Sequence, residues 1–154
     1  MSTRLHRLHR QAGSMLLEAL IAILVFSLGI LSIIGMQATS IKLSGDAKYR
    51  ADASLLANQL ISQMWVDDRT NIATLQSKYN SPNGTAYTAW LGNTTNDGTV
   101  LKLLPGATAT VTVVPVSGVT TNSSLVTVTL SWTAQNQPGA ASSVHTYKTI
   151  AQIL

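Results

Sequence analysis

Residues 14–36, SMLLEALIAILVFSLGILSIIGM, decide how this chain is built. From Ala19 to Met36, eighteen consecutive residues carry no charge, and the one acid in the stretch is Glu18. At about 1.5 Å of rise per residue, a helix over Met15–Met36 spans roughly 33 Å, enough for a bilayer core. Leu16, Leu17, Leu20, Ile21, Leu24, Phe26, Leu28 and Leu31 are large apolar side chains of this expected membrane segment. Upstream, residues 1–13, MSTRLHRLHRQAG, are basic and free of acids. Arg4, Arg7 and Arg10 predict an N-terminus held on the cytoplasmic side and a remainder placed outside. A cleaved secretory signal fits less well. The apolar run exceeds the usual h-region, no A-x-A site follows it, and Glu18 interrupts its start.

Downstream of Met36 the pattern changes to a helical period. Ile41, Ala53, Leu56, Leu60 and Met64 recur, with Ala57 and Ile61 beside them. Lys42, Asp46, Lys48, Arg50 and Asp52 supply the polar positions. No proline occurs before Pro82, so the spacing predicts one long helix from about Met15 to Val66. It is apolar all round at first and amphipathic over 37–66. Gly29, Gly35 and Gly45 weaken it, each by about 1 kcal/mol relative to Ala.

Asp67, Asp68 and Asn71 mark the exit from that helix. Residues 67–98 carry turn signals at Ser81-Pro82-Asn83-Gly84 and Asn96-Asp97-Gly98 and are expected to be irregular. The period then becomes two. Ala109, Val111 and Val113 alternate with threonines, and Val126, Val128, Leu130 and Trp132 alternate with Thr127, Thr129, Ser131 and Thr133. Val144–Ile153 reads as a further strand and Val100–Leu104 as a short one. Such alternation means one buried and one wet face, and the amphipathic half-helix is the natural cover for the buried one. The expected fold is α+β: a long N-terminal helix packed on an antiparallel sheet of about four strands. Its parts are a leader (1–13), a transmembrane half-helix (14–36), an amphipathic half-helix (37–66) and a globular head (67–154). Trp65 and Trp132 are expected in the core joining helix to sheet, with Trp90 in a loop and open to a core or a ligand-stacking role.

Composition excludes several functions. The chain of 154 residues has a formal charge of +4, but three of its ten cations are Arg4, Arg7 and Arg10, leaving seven against six acids. The rest are scattered singly, so no basic stripe tracks a phosphate backbone and no nucleic-acid partner is expected. Zero cysteines remove disulfides, thiolate metal sites and a Cys nucleophile. Downstream of the leader His145 is the one histidine, with no second ligand at metal spacing. There is no G-x-S-x-G and no phosphate-binding glycine loop. No enzyme activity, metal or cofactor is expected. Asn83-Gly84-Thr85, Asn93-Thr94-Thr95 and Asn122-Ser123-Ser124 match the N-glycosylation pattern, as chance allows in a chain rich in Asn and Thr.

Glu18 is the exception that calls for a role. A carboxylate in an apolar segment carries an insertion penalty and marks a functional position by default. No Lys or Arg lies within one helical turn of it. A cut after Gly13 would free an α-amino group on Ser14, four residues before Glu18, and supply the missing cation.

Gly13-Ser14-Met15-Leu16-Leu17-Glu18, followed by ALIAILVFSLGILSIIGMQ, resembles the class III signal of type IV prepilins. That signal is a short basic leader ending in Gly, a cut after it, and Glu at the fifth mature position of an apolar helix. The resemblance is specific over residues 4–37, and the helix-then-sheet layout agrees with pilins beyond it. Leu28-Gly29-Ile30-Leu31 and Gly35-Met36-Gln37 look most like minor pilins of the PilV type, the pilus modification proteins. The resemblance implies cleavage after Gly13 and methylation of Ser14 by a prepilin peptidase. It also implies an inner-membrane assembly platform, packing against major and minor pilins through N-terminal helices, and a part in pilus assembly, adhesion or twitching motility. Ser14 stands where the family prefers Phe, and the C-terminal disulfide of many pilins is absent. A minor pseudopilin of type II secretion is the near alternative. A membrane-anchored periplasmic binding domain or enzyme is the alternative of another class.

Overall fold

A computed structural model describes residues 12–93, 95–96, 98–116, 123–133 and 143–154, with side chains from Ser14 onward. Arg4, Arg7, Arg10, Thr94, Asp97 and Asn122, and all of the leader before Ala12, lie outside the described residues. The chain forms two compact units, Met1–Lys42 and Leu43–Leu154.

One helix, α1 (Ala12–Val66), contributes to both units. In the first unit every described side chain from Ser14 to Gln37 is exposed. Over Ser14–Val66 the helix is long and apolar enough to cross a membrane. In the second unit α1 turns a stripe of Ala53, Leu56, Ala57, Leu60, Ile61 and Met64 into the core. These positions recur at three- and four-residue spacing, so they share one helical face.

That face packs on a three-stranded antiparallel sheet of order β1-β2-β3: β1 (Thr108–Pro115), β2 (Ser124–Thr133) and β3 (Val144–Ile153). The register sets Val111 opposite Val128 and Leu130 opposite Tyr147. Val111, Val113, Val126, Val128, Leu130, Trp132 and Ile153 point inward and are buried. Fully burying such a side chain stabilises by about 1.5–3 kcal/mol, so this layer and the α1 stripe form the principal source of head stability.

Among the described residues three short helices connect α1 to the sheet: α2 (Ile72–Tyr79), α3 (Thr85–Leu91) and α4 (Val100–Leu103). Asn71 caps α2, its Oδ1 accepting from Ala73 N–H at 2.9 Å. On α3, Trp90 Nε1 donates to Leu56 O at 3.0 Å, and Tyr87 Oη donates to Ala109 O at 2.8 Å. Through these bonds α3 ties α1 to β1. Gly92 ends α3 with φ +64, and a Cβ there would collide with the Thr99 side chain, so glycine is required on both counts.

Among the described residues the sheet has three strands where about four are expected. Val100–Leu103 is helical, because Leu104 N–H closes a turn onto Val100 O at 3.0 Å and Val100 is buried beneath it. Residues 67–98, expected to be irregular, hold α2 and α3, whose buried pairs Leu75/Tyr79 and Tyr87/Trp90 sit one helical turn apart. Trp65 does not join helix to sheet. It follows Met64, one position past the buried stripe, and is 41% exposed with the Arg69 guanidinium 5.3 Å from its ring centroid. Ile41 is likewise exposed, and burial on α1 begins only near Tyr49. Trp132 is buried as expected, and Trp90 is a core residue.

Candidate functional site

The candidate site is the start of α1. The helix opens at Ala12, so the Gly13–Ser14 bond lies inside its first turn. Ser14 and Glu18 are both exposed and four residues apart, which puts them on one face, one turn from each other. Around them Met15, Leu16, Leu17, Leu20, Ile21, Leu24, Phe26, Leu28 and Leu31 are each more than half exposed. The segment thus presents a collar of large apolar side chains broken by one carboxylate. Gly29 and Gly35 have open space where a Cβ would stand. Chemically, the arrangement can hold one negative charge at a fixed depth of an apolar helix. It can pair that charge with a cation at the depth of Ser14.

The head contains other polar constellations. Lys78 Nζ donates to both Asp67 oxygens, at 2.7 and 2.9 Å, and Tyr79 Oη donates to Asp67 Oδ2 at 3.0 Å. The Lys78 hydrogen bond and then the Asp68 backbone N–H hold the Asp67 carboxyl below its ordinary value. Burial, then the bond to Asp67, pushes the Tyr79 hydroxyl up to about 12. This cluster closes the end of α1 onto α2 and is a structural clasp. In the sequence Asp67 reads only as a helix-end residue, because Lys78 and Tyr79, eleven and twelve residues on, give no local signal.

His145 stacks on Trp132, with ring centroids 5.8 Å apart, as their cross-strand pairing dictates. Among the described residues Trp132 Nε1 and Asp52 Oδ2 are buried without hydrogen-bond partners. Among the described residues no three His, Cys, Asp or Glu side chains are grouped to hold a metal ion. Asn93 Oδ1 accepts from Thr95 N–H at 2.9 Å and from Thr95 Oγ1 at 2.7 Å.

No protein-family model, curated protein or solved structure matches the chain.

Proposed function

We propose that this protein is a minor pilin, a structural subunit that enters the inner membrane as a precursor and is then built into a type IV pilus. One observation carries the reading. Gly13-Ser14 and Glu18 stand at the start of an exposed, otherwise uncharged apolar helix, which continues into a segment covered by an antiparallel sheet. In this reading a prepilin peptidase cuts after Gly13 and methylates Ser14. The N-terminus of the precursor is cytoplasmic and the head periplasmic.

Glu18 then serves assembly. In the bilayer its charge is a penalty. In a fibre it pairs with the Ser14 amine of its own or a neighbouring subunit, so the pair favours leaving the lipid. The apolar collar from Leu16 to Leu31 packs against the helices of other pilins, with the assembly platform as the membrane partner. The subunit's work is structural and adhesive, supporting assembly, attachment or twitching, and no reaction is assigned to it.

Fractionation of cells carrying the tagged gene tests the proposal. Surface fibres released by shearing should contain the chain alongside other pilin subunits. Retention of the whole population in the envelope, under conditions where fibres are recovered, would overturn it.

A further inference from the structure

The two edges of the sheet are treated differently. The β1 edge is closed by the segment around α2. Val111 N–H donates to Ser81 Oγ at 3.2 Å, and Val111 O accepts from Ser81 N–H at 3.0 Å. Val113 N–H donates to Asn80 Oδ1 at 2.7 Å, and Val113 O accepts from Gln76 Nε2 at 2.9 Å. Tyr87 takes Ala109 O. The odd residues of β1 therefore face away from β2, and the even ones bond to it.

In an antiparallel ladder alternate residues exchange their bonds with opposite neighbours. Carried across the pairs Thr110↔Thr129 and Val128↔Thr149, this parity aims the odd residues of β3 at β2. Val144, Thr146, Lys148, Ile150 and Gln152 aim their N–H and C=O groups outward. Among the described residues no hydrogen bond takes up these groups. The nearest is Arg69 Nη1 to Leu154 O, 2.8 Å, just past the strand. A ten-residue open edge is a template for another strand.

We infer that the outer edge of β3 takes up an extended segment of a partner polypeptide, one that sets a carboxylate opposite Lys148 and apolar side chains opposite Val144 and Ile150. The main chain supplies the bonds and the side chains supply the choice of partner. On the outer face of the sheet, Lys148 is the one ionisable side chain among Thr108, Thr110, Thr112, Val114, the odd residues 125–133 and the even residues 144–152. It is exposed, and no ion pair to it is formed among the described residues. Val144 and Ile150 flank it at 69% and 55% exposure. Self-pairing centred on Lys148 would set two ammonium groups face to face, which disfavours a second copy in that register. The inference uses the head alone and stands apart from the pilin reading.

Amide hydrogen exchange by NMR on the full chain in detergent micelles tests it. The free protein should show fast exchange at Thr146, Lys148, Ile150 and Gln152 and slow exchange at Tyr147, Thr149 and Ala151. A nine-residue peptide alternating Thr with Ile, Glu and Val, at millimolar concentration, should slow the fast set about tenfold or more. Thr146→Pro removes one outward N–H, leaves the β2 ladder intact and should abolish that protection. Lys148→Glu should reverse the preference, weakening the Glu peptide about threefold and strengthening its Lys counterpart. Slow exchange at the even positions of the free protein would overturn the inference, as would peptide protection of none of them. Protection that grows with protein concentration alone would assign the edge to a second copy instead. An unchanged peptide preference in Lys148→Glu would make Lys148 only a guard against aggregation.

Discussion

Truncating Trp132 to Ala measures whether the buried face of the sheet is assigned correctly. Trp132 is 2% exposed, and its ring stacks on His145. Burying a tryptophan withdraws about 150–250 Å² from water, worth ~4–6 kcal/mol at 25 cal/mol per Å². Its Nε1 is buried without a partner among the described residues, however, and an orphaned donor of that kind costs about 1–3 kcal/mol. The net loss in Trp132→Ala is therefore about 3 kcal/mol, the low end of core aromatic truncations. Trp132→Phe keeps most of the ring and discards the orphan N–H, so it should lose less than about 1.5 kcal/mol. Urea unfolding of the full chain in micelles, followed by near-UV circular dichroism, reads the aromatic packing of the head. An Ala variant within about 1 kcal/mol of the parent, still unfolding cooperatively, would refute the assigned face. A Phe variant as unstable as the Ala variant would refute the orphan-donor argument.

Glu18→Leu should give parental membrane levels and a folded head but a lower ratio of sheared-fibre to membrane protein, measured by immunoblot; an unchanged ratio would remove the pairing role. The acid limb of stability depends on Asp67. Its folded pKa is depressed, so its contribution is complete above the ordinary value of 3.8 and is lost as pH falls through the lower folded value. Lys78→Ala should flatten that limb in acid unfolding curves. Tyr79 has the opposite sign: pushed up to about 12, it adds stability that is intact below pH 10.0 and is lost on the way to 12. Tyr79→Phe should remove that alkaline loss in a pH titration of Tm. Gly45→Ala meets open space and should stabilise α1 by up to about 1 kcal/mol in the same urea assay.

The long helix and the three strands were legible because their periods persist over many residues. Val126, Val128, Leu130 and Trp132 alternate with Thr and Ser for the whole of β2, and all four are buried. The short helices were not legible for the converse reason. α3 has seven residues and shows one buried pair, Tyr87 and Trp90, too few to establish a period. Val100-Leu101-Lys102-Leu103 has strand-like composition, and only the burial of Val100 and the turn closed by Leu104 make it helical. Trp65 lies off the core, although its size suggests burial, because of its position on α1. The stripe Ala53–Leu56–Leu60–Met64 already puts the next residue on another face. The candidate site at Gly13, Ser14 and Glu18 comes from the sequence, since a carboxylate inside an apolar run is a local signal, and the structure adds that Ser14 and Glu18 are exposed one turn apart on α1. The clasp of Asp67 with Lys78 and the closed β1 edge were not legible, since both depend on where the chain returns.

The mass of the mature N-terminus, read by peptide mass spectrometry of the membrane-embedded protein, decides whether the chain is processed as a prepilin. The expected result is a chain beginning at Ser14, carrying one added methyl group on its amine, with Gly13→Val leaving the uncut precursor in the membrane. A protein that begins at Met1, or one cut beyond Met36, would contradict it.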